Sequence, residues 1–292
     1  MKSFRALYFL LLLFFLPIPG LAASHPMDIV VSIPPQKWLA EQVGGELIRT
    51  HVLVDRGQDP HTFTLSPAQL TTLGRAKLYC SLGLEFEDRL LDKIKENMVG
   101  LTQVDLSASI RKRRMTTSHE HHNGSHDGLD PHIWLSPEKL QEMAVRMAAA
   151  LAAQDPENRE GYEGKLQKTL ADLDTLDREI RKKLAPHRGS SFYVFHPAFG
   201  YFADAYGLTQ EAIEVEGKSP TPRQLSRLIA KARAEGVKVL FVQPQFDPRS
   251  VAAIAAAIDG EVIPLDSLAE NVADNLRTMA EKIASAFAHN SP

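Results

Sequence analysis

The stretch PENREGYEGKLQKTLADLDTLDREIRKKLAP, residues 156–186, admits one regular structure. Its apolar positions Leu166, Leu170, Leu173, Leu176, Ile180 and Leu184 recur at an average of 3.6 residues with charges between them. That spacing is one face of an α-helix, and it cannot serve a strand, whose side chains alternate with a period of two. Pro156 suits a first turn and Pro186 forbids continuation. At roughly 1.5 Å per residue, about 30 residues make a rod about 45 Å long. A rod of that length is a spine and restricts what it joins to small rocking motions, so a cleft between the joined parts is expected to be largely preformed.

On both sides of the spine, short β-type runs alternate with helical patterns. DIVVSI (28–33), LIRTHVLV (47–54), KLYCS (77–81) and LTQVDL (101–106) come before it. SFYVF, a helix-like PAFGYFADAYG, TQEAIEV, a helix from Thr221 to Glu235, VKVLFV, another helix, EVIPL and a terminal helix follow it. Strand and helix in alternation are the pattern of a parallel α/β sheet. The expected fold is α/β, with two parallel-sheet lobes at 24–155 and 187–292, a linking helix at 156–186 and a site in the cleft between the lobes.

Lys2 and Arg5 precede an uncharged apolar run from Ala6 to Leu16, followed by Pro17, Pro19, Gly20, Ala22 and Ala23. This reads as a secretory signal peptide over 1–23, because the run is well short of the roughly 20 apolar residues that cross a bilayer. The chain has 33 basic and 36 acidic residues; the leader removes two basic ones, leaving 31 against 36, a net of −5. Nucleic acid is not an expected partner. Cys80 is the single cysteine, far from the leader junction where a lipid-bearing one would stand, so no disulfide within the chain and no lipid anchor are expected. It sits in a strand-like run, where a free thiol is usually a small hydrophobe. An exported, periplasmic monomer with no membrane insertion after leader removal is implied.

Ligands of open α/β sheets bind beyond the carboxyl ends of the strands. His61, His132, His196 and Asp266 fall at such places, two in each half of the chain. Three imidazoles and a carboxylate brought together make a four-coordinate set that zinc accepts. Each alone has a plainer reading. Asp-Pro opens turns, and Ser66-Pro67 and Ser136-Pro137 read as N-cap and first-turn pairs. Helix initiation does not explain a histidine at a similar distance before both Ser-Pro pairs, in DPHTFTLSP (59–67) and DPHIWLSP (130–137). A loop over 119–127, HEHHNGSHD, carries His119, His121, His122 and His126, and clustered histidines bind transition metals weakly and exchangeably. The RKRR run, 111–114, reads as a solvated charge run.

The chain resembles the zinc and manganese ABC-transporter solute-binding proteins, the TroA-like group of cluster A-I, and most closely the periplasmic zinc carriers of the ZnuA type. The resemblance rests on EQVGGELIRTHVLVDRGQDPHTFTLSPAQL, SLGLEFEDRL, the histidine-rich loop, DPHIWLSP, FHPAFGYFADAYGL, VQPQFDP and PLDSL, in the family's order around a helical spine. It implies two α/β lobes joined by that helix, metal bound in the cleft, and delivery to the membrane permease of a metal ABC importer. By motif position it carries over His61, His132 and His196 as ligands and Asp266 as an acidic position that ligates in some members; water or another carboxylate serves in others. Two departures stand out: Gln243 occupies a place where many members have glutamate, and the histidine loop is short.

Manganese carriers of this family commonly place a carboxylate at the third ligand position, where this chain has His196. Carboxylate suits Mn²⁺ and imidazole suits zinc, so Zn²⁺ is the expected cargo and a manganese or iron carrier the alternative. A zinc hydrolase is the rival from another class, since three ligands and an open position can activate water. No HExxH helix and no nucleophile elbow support it. A surface adhesin, a role described for some relatives, lacks an evident means of retention.

Overall fold

The computed structural model of the chain describes residues 25–115, 128–214, 221–247 and 249–289. Each of the eight β-runs forms a strand. The first sheet holds β1 (Met27–Val31), β2 (Ile48–Val52), β3 (Leu78–Ser81) and β4 (Thr102–Asp105) in the order β2-β1-β3-β4, all parallel. The second holds β5 (Ser191–Val194), β6 (Thr209–Ala212), β7 (Val239–Val242) and β8 (Glu261–Pro264) in the matching order β6-β5-β7-β8, again parallel. In each sheet the order reverses beside the first strand, which places a ligand crevice beyond the carboxyl ends of β1 and β5.

The connections are helices α1 (Pro34–Gly44), α2 (Pro67–Arg75), α3 (Glu85–Asn97) and α4 (Pro137–Gln154) before the spine, and α6 (Gly200–Tyr206), α7 (Pro222–Ala234), α8 (Arg249–Ala257) and α9 (Val272–His289) after it. The spine itself is α5 (Arg159–Leu184), with 3₁₀ turns over Pro156–Asn158 and Ala185–His187 replacing the outermost residues of the expected helix. A proline at each end cannot join the α ladder fully, and the tighter turn absorbs it. Leu173, Leu176, Ile180 and Leu184 are buried, and Leu166 and Leu170 pack against the same core. α5 lies against α1 and α4 on one side and α9 and α6 on the other.

Local capping accounts for several boundaries. Ser66 Oγ accepts from the backbone of Gln69, whose Oε1 accepts from Ser66 N–H in return; Thr221 and Gln224 repeat this box at α7. Ser136 precedes α4 without a side-chain cap, so only the first of the two Ser-Pro pairs caps its helix as expected. Gly207, with φ of 70°, closes α6 in the left-handed conformation that a side chain disfavours.

One hydrophobic core runs from the first sheet through α4, α5 and α9 to Phe192, Val194, Val239 and Phe241 of the second; a smaller cluster under α7 and α8 covers that sheet's other face. The lobes therefore share packed apolar surface, the more costly kind to separate. Cys80 is buried in the first sheet, and burial pushes its thiol up to about 12, which leaves it inert at neutral pH. Among the described residues no helix is long and apolar enough to cross a membrane.

Candidate metal centre

The register of the second sheet builds the first part of the site. Val194 of β5 pairs with Ala212 of β6 on one side and Phe241 of β7 on the other. Two residues beyond those positions stand His196, Glu214 and Gln243, all buried. His196 Nδ1–H donates to Glu214 Oε1 at 2.6 Å. Gln243 grips the same residue by its backbone: Nε2 donates to His196 O at 2.7 Å and Oε1 accepts from His196 N–H at 3.2 Å. A carboxylate at 243 could accept but could not donate while ionised. The amide suits this two-way clamp, and the carboxylate behind the imidazole comes from Glu214.

The two Asp-Pro-His sequences fold alike at the backbone and differently at the ring. In each, the aspartate Oδ1 accepts from the histidine N–H two residues on, at 3.0 Å for both Asp59 and Asp130. Asp130, buried, also accepts from His132 Nδ1–H at 2.7 Å. His132 then leads through a 3₁₀ turn, Ile133–Leu135, into α4, and its ring lies 5.2 Å from that of Trp134. His61 stands on an exposed loop, which Phe63 fastens to α3 by an edge contact with Phe86 at 4.9 Å.

These supports aim three imidazoles at one point. The Nε2 of His196 lies 3.3 Å from that of His61 and 3.4 Å from that of His132, and one ligand atom from each of the three histidines lies within 4.8 Å of the others. Tetrahedral zinc with nitrogens at about 2.0–2.1 Å holds them about 3.3–3.4 Å apart. With Nδ1 directed to Asp130 and Glu214, it is Nε2 that His132 and His196 turn toward each other, the atom each would offer to a metal. Loss of water around the His61 ring, and then the charge of His196, hold the His61 pKa below the usual histidine value. The cavity, about 20 Å³, is bounded by Leu84, Trp134, Gln245, Phe246 and Leu268 besides the histidines. That is room for a single water-sized occupant.

Asp266 is not in this group. Its Oδ1 accepts from Leu268 N–H at 2.8 Å and from Gln245 Nε2 at 3.5 Å. His119, His121, His122 and His126 lie outside the described residues. The two middle residues of the RKRR run depart from its solvated reading, while Arg111 and Arg114 are exposed: Lys112 Nζ donates to Leu82 O at 2.7 Å, and Arg113 packs over the Tyr201 ring at 6.0 Å. Sequence reasoning missed Glu214. The signal was the register itself, since pairing β6 beside β5 puts residue 214 level with residue 196. Glu214→Ala should weaken metal binding about 10- to 100-fold, the usual cost of losing a carboxylate behind a metal-bound imidazole; chelator competition measures it.

The chain matches the family of the periplasmic zinc-uptake complex component A, ZnuA, over residues 29–289. A solved structure described as the crystal structure of ZnuA superposes with a TM-score of 0.84 at 41% identity, covering 91% of this chain and 100% of that one. A putative metal-binding protein of Chlamydia trachomatis is 31% identical over 94% of this chain and 98% of its own length. The high-affinity zinc uptake system protein ZnuA of Paracoccus denitrificans is 29% identical over 90% and 92%. A manganese ABC transporter substrate-binding lipoprotein, PsaA of Streptococcus mitis, is also 29% identical, over 80% and 77%.

Proposed function

The chain belongs to the ZnuA family of metal-binding solute-binding proteins, which serve ABC importers, and on that premise we propose that it captures Zn²⁺ in the periplasm and delivers it to the permease of a metal importer. His61, His132 and His196 are the proposed ligands. The observation that carries the reading is the gathering of three imidazoles, with His196 Nε2 at 3.3 Å from that of His61 and 3.4 Å from that of His132, and a carboxylate behind Nδ1 of both His132 and His196. Asp266 remains the protein's candidate for the fourth position, with water as the alternative. Taking Asp266 requires turning its carboxylate from Leu268 N–H.

Zinc is favoured over manganese because three of the proposed ligands are imidazoles, with Asp130 and Glu214 standing behind two of them, whereas Mn²⁺ favours oxygen-rich, octahedral sets. Metal analysis of protein drawn from its own periplasm, followed by competition between Zn²⁺ and Mn²⁺, tests the assignment. Manganese as the resident ion, retained against zinc, would overturn it. His196→Glu should lower the Zn²⁺/Mn²⁺ affinity ratio without reversing it, since Zn²⁺ still ranks above Mn²⁺ in intrinsic affinity. An unchanged ratio in a variant whose metal-free melting is normal would remove His196 as the determinant of choice. Binding and handover call for no chemical step, so the proposed role is carriage and not catalysis.

A further inference from the structure

The basic run 111–114 takes no part in the zinc chemistry above, yet its third member is built into the wall behind His132. Asp130 is held at its backbone N–H, its backbone carbonyl and its Oδ1. Its N–H donates to Arg113 O at 2.8 Å, and its carbonyl accepts from the Tyr201 hydroxyl at 3.0 Å. The Tyr201 oxygen accepts from Arg113 N–H at 2.9 Å. Oδ1 is taken by the two His132 donors. On the Oδ2 side lies Gly200: a Cβ there would stand 2.0 Å from Arg113 Nη1 and 2.9 Å from Asp130 Oδ2. The absent side chain thus leaves room for Arg113 Nη1 and Asp130 Oδ2 on the same side of α6. Asp204, one turn along α6, approaches Arg113 Nη1 at 3.4 Å.

Two features make this more than local packing. Arg113 and Asp130 belong to the first lobe, whereas Gly200, Tyr201 and Asp204 begin the second-lobe helix that follows His196 in the chain. The cluster therefore ties the carboxylate behind His132 to the second-lobe helix that follows His196 in the chain. Arg113–Met115 and Gly128–Asp130 also form a short antiparallel ladder through Met115 N–H to Gly128 O at 2.7 Å and the Arg114–Leu129 bridge. The flanks of the histidine-rich segment consequently end at Asp130. Burial pushes the Tyr201 hydroxyl up to about 12, so it remains a neutral donor at working pH.

We propose that Arg113 and Tyr201 clamp Asp130 across the two lobes and so act as positioning residues that set the orientation of His132 toward the metal. The proposal rests on His132 being a ligand. An imidazole hinged on one carboxylate inherits any movement of that carboxylate, and sites lose affinity when ligands drift by about 0.5 Å. Nothing in a purely structural bolt would alter ligand geometry at fixed folding.

The test pairs Zn²⁺ affinity, by competition with a chromophoric chelator, with the visible spectrum of Co²⁺ in the same site, whose bands report ligand geometry. Tyr201→Phe and Arg113→Met should each weaken Zn²⁺ about tenfold and alter the Co²⁺ bands. The double variant should lose no more than the weaker-binding single one, because both act through one carboxylate. Tyr206→Phe is the comparison: it deletes a hydroxyl bonded to Asp177 at 3.1 Å in the same helix and should lower the melting temperature with affinity and spectrum intact. If His132→Ala abolishes tight binding while Tyr201→Phe and Arg113→Met leave both readouts at wild-type values, the clamp is overturned and the metal site stands. If His132→Ala binds as wild type, the ligand assignment falls and the clamp with it. Should Arg113→Met not fold, Tyr201→Phe decides alone, since it removes one oxygen and keeps the ring.

Discussion

Alanine at His61, His132 or His196 should each weaken Zn²⁺ binding by about a hundredfold or more. A four-ligand zinc site contributes about 10–16 kcal/mol, so one ligand carries on the order of 3 kcal/mol, two decades in Kd. Alanine at His51, His187 or His289 should change nothing. His51 Nε2 is bonded to Asp28 at 3.0 Å and the His187 ring packs on Phe287 at 5.2 Å. Calorimetry with a competing chelator reads the difference, and unchanged affinity in two of the first three would sink the assignment. The pH dependence has a definite sign. Protons compete with metal for imidazole, and the His61 pKa lies below the ordinary value of about 6.5. As pH falls, affinity at that ligand should therefore hold down to 6.5 and decline only below it. The metal-free protein should also lose stability as pH drops through about 6.5, because the unfolded chain then binds a proton at His61 that the folded one resists. Affinity that stays level from pH 7.5 to 5 would count against histidine ligation.

The parts of this molecule that could be read from the sequence are those fixed by neighbours in the chain. All eight strands were legible as β-rich runs, and the Ser66 and Thr221 boxes mark helix starts because every partner lies within three residues. The three histidines stood out because each follows a strand or an Asp-Pro turn. What stayed hidden depends on residues brought together by the sheet or across the lobes. Glu214 reads as one more charge until β6 lies beside β5. Gln243 reads as a departure from the family until it grips both backbone groups of His196. Arg113 reads as part of a solvated run until α6, almost ninety residues on, brings up Tyr201. Asp266 shows the limit of such reading: it follows a strand as His196 does, and its carboxylate bonds to its own loop. Position at a strand end predicts nearness to a cleft; it does not predict where the side chain points.

Trp134→Ala should be the most damaging substitution outside the ligands. The indole is 1% exposed and stands between the proposed ligand His132 and the second lobe, where its N–H donates to Ser267 O at 2.7 Å. Removing a buried tryptophan costs about 3–5 kcal/mol through lost burial and the cavity left behind. The stranded Ser267 carbonyl adds about 1–3 kcal/mol. For a chain of this size each kcal/mol lowers the melting temperature by about 2–4 °C, so a fall on the order of 10 °C or more is expected in the metal-free protein. Trp134→Phe separates the two contributions: it keeps most of the volume and loses the N–H, and should cost about 1–3 kcal/mol. Binding follows from geometry, since His132 loses the wall that limits its tilt in Trp134→Ala but keeps most of it in Trp134→Phe. Zinc should therefore bind Trp134→Ala more weakly than Trp134→Phe, with both folded at the temperature of measurement. Equal melting temperatures for the two variants would show that the cavity contributes nothing, and that the lobes are held together at Trp134 by the hydrogen bond alone.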